Sequence, residues 1–218
     1  AARRFANHAV VGTILLSAAA AILAASGGTT LIDDMSRIDP ESTRLVALLL
    51  MAAVALQIPL VPMHTWLAPV VAAGSVAGRI LVLGGWSAAG AFCLLRFGLG
   101  LFPDLFAYAA PMPLLWGGVT VAYAAFLAIA QNERDLLRRI SWMTVGAGGL
   151  LLVGVAGLEE LSILGAWMHA SGQALPRVGL LLLAHWITST GARGGSVAAI
   201  WVALALGLTA APGLALFP

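Results

Sequence analysis

The chain has 218 residues, which ordinarily means one domain or two, but 61% are hydrophobic, only 9% are charged and mean hydropathy is +1.00. A soluble domain carries roughly 25% charged residues, so this chain cannot cover a globule with polar surface; the composition predicts an all-α, multispanning membrane protein. The net charge of +2 comes entirely from arginine: all eleven basic residues are arginine and there is no lysine, which points to arginine at helix ends and not to a nucleic-acid-binding face.

A helix needs about 20 apolar residues to cross a ~30 Å hydrocarbon core. Such runs predict seven spans, at roughly 8–26, 45–66, 75–97, 111–131, 140–158, 160–187 and 195–217, in one transmembrane domain over residues 1–218. Barrel strands would alternate over ~10 residues; these runs are apolar throughout, so helices are expected. Connections are short except the acidic segment 27–44. One side collects Arg3, Arg4, Arg134, Arg138, Arg139 and Arg193. The other collects Arg37, Arg44 and Arg96 with Asp33, Asp34, Asp39, Glu41, Asp104, Glu159 and Glu160. The positive-inside rule then puts the amino terminus on the inner side.

The first span carries alanine stretches such as Ala18 to Ala21. In the second, Gln57 lies near the centre, followed by Pro59 and Pro62. Proline removes a backbone donor and frees a carbonyl, so the helix is expected to break there. Gln57 would either satisfy the freed groups or hold water, with His64 and Trp66 following at the inner edge; 67–74 reads as an uncharged loop. Arg79, one turn into the third span, either snorkels to the interface or serves a polar path. On the fifth span Gly146, Gly148 and Gly149 read as close helix packing. The sixth span holds His169 near mid-membrane, with Pro176 and Arg177 interrupting the run. A histidine titrates near neutral pH and relays protons, or simply hydrogen-bonds between helices; an arginine stays charged and pairs with a carboxylate or lipid phosphate.

The lone Cys93 excludes a disulfide framework and an iron–sulfur cluster. Histidines 8, 64, 169 and 185 show no metal-ligand spacing, and there is no GxGxxG, P-loop or HExxH. No catalytic centre and no nucleotide, metal or flavin site is expected. The chain starts at Ala1 without an initiator Met or a signal-peptide pattern, and reads as processed, incomplete or a piece of something longer.

The stretch Gln57-Ile58-Pro59-Leu60-Val61-Pro62-Met63-His64-Thr65-Trp66-Leu67 resembles a motif of the antiporter-like subunits of respiratory complex I, in which lysine, one residue and proline precede His-Thr-Trp-Leu-Pro. Leu94-Leu95-Arg96-Phe97, with Leu101-Phe102-Pro103 after it, follows at the family's ungapped spacing. Next come Ala130-Gln131, Asp135-Leu136-Leu137-Arg138-Arg139-Ile140, Met168-His169 and Ala211-Pro212-Gly213, the last resembling the opening of a later broken helix. Gly28-Thr29 matches a Gly-Thr after the first span. The order is collinear over nearly the whole chain and most like the subunit 4 (bacterial chain M) type, ahead of subunits 2 and 5. The resemblance implies the antiporter-like fold, truncated or split: the middle of a family protein about twice as long, from its sixth helix to the start of its twelfth.

The departures bear on function. The resemblance implies a proton path through embedded glutamates, lysines and a histidine relay. The broken-helix lysine is here Gln57, the next helix's lysine falls at Ala88, the Ser-His-Met histidine at Ala147, and the lysine after the aspartate at Leu137. Only His169 stands in its matching place. A buried lysine can release its proton because burial lowers its pKa; glutamine and alanine carry none.

The expectation is a non-redox membrane-arm subunit of NADH:ubiquinone oxidoreductase with a degraded proton path, split or reduced, which does not move protons alone. Partners would be other membrane-arm subunits, fragments of the same subunit and lipids, but not nucleic acid. FMN and iron–sulfur clusters would sit in other subunits. The location would be the mitochondrial inner membrane, or alternatively a bacterial plasma membrane. The competing readings are a subunit of a multi-subunit Na+/H+ antiporter or membrane-bound hydrogenase, and a purely structural scaffold within complex I.

Overall fold

The computed structural model describes residues 2–27, 40–102, 107, 111–132, 135–192 and 194–208, and among them no strand occurs. The helices are α1 (Ala2–Gly27), α2 (Pro40–Gln57), a 3₁₀ turn (Met63–Trp66), α3 (Leu67–Ala73), α4 (Val76–Leu99), α5 (Pro111–Ala130), α6 (Leu136–Ala156), α7 (Glu160–Gly172), α8 (Ala174–Thr190) and α9 (Gly195–Leu208). By length and composition α1, α4, α5 and α6 can each cross a bilayer. Within the described residues each predicted span falls on a helix or on two consecutive pieces; 209–217 of the last span lie outside them. Pro212, Gly28, Thr29 and Pro103 lie outside the described residues, as do Arg37, Arg134, Arg193, Asp33, Asp34, Asp39 and Asp104.

Two expectations need correction. The second span does not end at 66. α2 stops at Gln57, and after the turn the chain resumes as α3, so most of the segment read as a loop is helix. Pro69 does not prevent this: it lies in the first turn of α3, where its missing N–H has no intrahelical acceptor to lose. In the sixth span the distortion falls at Gln173, ahead of Pro176. Pro176 cannot donate to the carbonyl four residues back, on Gly172, so the bond lost to proline belongs to the preceding turn. α4 is not uniform either: Leu81–Trp86 and Leu94–Leu99 are π-helical.

α6 is the hub. Eleven of its 21 residues are buried, because α5 runs along one side and α3, α7 and α8 meet the others. Close approach requires glycine here: a Cβ on Gly149 would stand 2.8 Å from the Gly117 carbonyl oxygen of α5, which confirms the packing role predicted for the fifth span. α1 lies along α2. α5 presents an outer face of Met112, Leu115, Val119, Phe126 and Ile129, all strongly exposed. A continuous apolar face of this kind calls for hydrocarbon or a protein neighbour around it.

The arginine pattern has a structural counterpart. Phe5, one residue past Arg4, packs on Trp66 at 5.4 Å. Trp142, close after Arg138 and Arg139, packs on His64 at 5.1 Å. The arginine-bearing starts of α1 and α6 therefore lie beside the same turn, at one end of the bundle.

Candidate functional site

The break between α2 and α3 positions the site. Pro59 and Pro62 cannot donate, so the backbone must find other partners. Ile58 N–H donates to Val54 O at 2.7 Å, and Leu60 N–H donates to Ile58 O at 2.6 Å. The Trp116 indole N–H of α5 donates to the Val61 carbonyl. The break is seated between two glycines. A Cβ on Gly90 of α4 would come within 2.8 Å of Gln57 Cβ, and one on Gly148 of α6 within 2.7 Å of Ile58 Cγ2.

Beside the break lies a small cavity of about 10 Å³, roughly the space one water needs. Ile58 and Pro59 line it from the break, with Ser87, Ala88 and Ala91 from α4 and Thr144, Ala147 and Gly148 from α6. Gln173 and Arg177 close it from the α7–α8 junction. Two of the positions at which the resemblance places titratable groups, 88 and 147, are thus alanines on one cavity wall.

His169, Gln173 and Arg177 recur every four residues and share one helix face. All three are buried: 7%, 2% and 6% exposed. His169 Nε2–H donates to the Ala147 carbonyl of α6 at 3.1 Å, and the Gln173 amide closes on the same nitrogen. One ring nitrogen cannot both donate to a carbonyl and accept from an N–H; both contacts are satisfied when the Gln173 amide oxygen faces the imidazole. Arg177 Nη1 donates to Leu83 O at 3.3 Å, in the first π-helical stretch of α4. Ser87 Oγ donates to the neighbouring Val82 O at 3.3 Å. Both side chains take carbonyls of the π-helical turn, where the regular α ladder is interrupted.

The other sequence-selected residues fall elsewhere. Gln57 ends α2, does not line the cavity and makes no side-chain hydrogen bond to the described residues; Trp116, not Gln57, meets the freed Val61 carbonyl. Arg79 Nη2 donates to Ala72 O at 3.1 Å, capping the C-terminus of α3, where a cation is favoured by the exposed carbonyls. His64 is packed between Trp142 and Tyr123, with ring centroids at 5.1 and 5.6 Å. Trp66 is fully buried against Phe5. These are packing and capping roles. Gln173 was not singled out from the sequence, although its spacing of four from both His169 and Arg177 was there to be read; Ser87 and Thr144 carry no comparable signal. Among the described residues no three His, Cys, Asp or Glu side chains cluster as metal ligands.

Comparison with known proteins matches the geometry. The family model described as "NADH:quinone oxidoreductase/Mrp antiporter, TM" matches residues 1–217. NAD(P)H-quinone oxidoreductase chain 4 1 of Trichormus variabilis is 30% identical over 131 residues, 60% of this chain and 25% of that one. NAD(P)H-quinone oxidoreductase chain 4-1 of Synechocystis sp. is 28% identical over 177 residues, 76% of this chain and 33% of that one. The solved respiratory complex I of Thermus thermophilus with bound NADH contains a chain superposing with TM-score 0.87 at 25% identity, covering 99% of this chain and 49% of its own. The Mrp complex of Dietzia sp. DQ12-45-1b shares the fold with TM-score 0.76 at 22% identity, covering 89% of this chain and 22% of that one. This chain therefore spans half or less of the length of the relatives it matches. It is a multi-pass, all-α membrane protein, and it belongs to the NADH:quinone oxidoreductase/Mrp antiporter transmembrane family.

Proposed function

We propose that the chain is a membrane-arm component of an NADH:quinone oxidoreductase, in the place of a subunit 4, and that it supports the arm without relaying protons across its own cavity. The observation that carries this reading is the cavity wall. Ala88 and Ala147 line it, neither can bind a proton, and among the described residues the cation that lines it is Arg177, which stays charged across the physiological range. His169 is held by Ala147 and Gln173 as an interhelical hydrogen bonder. The chain would hold no redox cofactor; flavin and iron–sulfur clusters would reside on other subunits. Its partners would be neighbouring membrane-arm chains and lipid. The named relatives are bacterial, which favours a bacterial plasma membrane over the mitochondrial inner membrane.

The test is purification of the native assembly followed by mass spectrometry and NADH oxidation. Co-purification with flavin and iron–sulfur subunits that oxidise NADH supports the proposal. Recovery in a cation-exchanging assembly without them would support the Mrp-type alternative, with which the shared fold is consistent.

A further inference from the structure

We propose that the cavity beside Arg177 is a binding site for a small monovalent anion of chloride size. Arg177 is 6% exposed, and its guanidinium carries five N–H donors. Nη1 reaches Leu83 O at 3.3 Å, while Nε is buried without a hydrogen-bond partner. A charge taken out of water costs several kcal/mol unless an opposite charge or a full set of hydrogen bonds compensates it, and intramembrane arginines accordingly pair. A single carbonyl leaves this one undercompensated.

No carboxylate among the described residues can supply the balance. Asp135 lies 3.9 Å from Arg138, nine residues before Thr144, the first α6 residue on the cavity. Glu159 and Glu160 are exposed at the start of α7, and Glu160 is roughly 25 Å of helix from Arg177 at 1.5 Å per residue.

The cavity offers donors to an anion. Gln173 lines the same cavity and is 2% exposed, so its amide is a second polar group beside Arg177. The Thr144 and Ser87 hydroxyls donate to Ile140 O and Val82 O on their own helices, so the unengaged donor on the lining is that of Arg177. The space suits one water-sized body. A halide is only slightly larger, and the unbranched stem of Arg177 can yield to it. A polyatomic anion such as phosphate is too large.

The experiment is equilibrium binding of chloride-36 to the assembly purified from native membranes, at constant ionic strength with gluconate as the replacement anion. The expected result is one saturable chloride per copy of this chain, lost in Arg177→Gln and retained in Arg79→Gln, whose arginine caps α3 away from the cavity. If Arg177→Gln does not assemble, two further readings decide. Arg177→Lys keeps the charge and should keep the chloride, and chloride should lengthen the thermal half-life of the unaltered assembly relative to gluconate. Absence of saturable chloride, equal binding by Arg177→Gln, or a carboxylate found in contact with Arg177 in a structure of the assembly would each overturn the proposal.

Discussion

Two neighbouring glycines on α5 give opposite answers to the same substitution. A Cβ on Gly117 would lie 2.7 Å from Gly149 O, 3.0 Å from Val153 N and 2.9 Å from Val153 Cγ2, whereas one on Gly118 would meet nothing within 4 Å. Close C–H···O contacts settle at about 3.3 Å or more, so α6 would have to withdraw by roughly 0.6 Å at its tightest crossing with α5. The obstructing atoms are mostly backbone, and no rotamer change relieves them. Overpacking of this kind costs about 1–3 kcal/mol, and the upper end applies to Gly117→Ala. The better helix propensity of alanine offsets up to ~1 kcal/mol of that cost, leaving a net loss of about 2 kcal/mol. Gly118→Ala keeps the propensity gain and should stabilise by up to ~1 kcal/mol. Because unfolding of such proteins is commonly irreversible, the assay is the thermal half-life of the assembly in lipid nanodiscs, followed by tryptophan fluorescence. The order expected is Gly118→Ala longest, unaltered next and Gly117→Ala shortest. A Gly117→Ala protein as long-lived as Gly118→Ala would refute the claim that the α5–α6 contact is limited by these two backbones.

The remaining predictions concern the break and its neighbours. Trp116→Phe keeps an aromatic side chain, though a smaller one, and removes the donor to Val61 O, leaving a carbonyl of the break unpaired; a loss of about 1–3 kcal/mol is expected, measurable as a shorter half-life in the same assay. His169→Leu removes the partner of the Ala147 carbonyl and the Gln173 amide together, with a loss of similar size, and His169→Gln should recover part of it. Arg79→Ala should cost only about 0.3–1 kcal/mol, the worth of a cation at a helix C-terminus; a larger loss would give Arg79 more than a capping role.

What the sequence discloses and what it hides divide along physical lines. Long apolar runs are visible because lipid demands them, and all the predicted spans meet helix. The break at Pro59 and Pro62 is visible because proline subtracts a donor wherever it sits in a helix interior. α3 is hidden for the converse reason: Pro69 looks like a breaker but falls in a first turn, where it is harmless. The first π-helical stretch of α4 is hidden because one of its carbonyls is met by a guanidinium from a distant segment, Arg177 from 94 positions away. Within the site, His169 and Arg177 stand out as polar groups in an apolar run, and a spacing of eight puts them on one helix face, though of the two only Arg177 lines the cavity. The convergence of Ala88 and Ala147 on the same wall needs the fold, since an alanine gives no sign of what surrounds it. Gln57 shows the limit of position alone: beside the break it reads as satisfying the freed backbone or holding water, and the Val61 carbonyl is met by an indole from α5.

The central claim is that this chain's cavity, walled by alanines and faced by a fixed cation, relays no protons. The most direct measurement is the proton-to-electron ratio of the purified, lipid-reconstituted assembly with and without His169→Gln in this chain. The same ratio is expected in both at intact assembly; a ratio lowered by His169→Gln would place a proton relay in this chain.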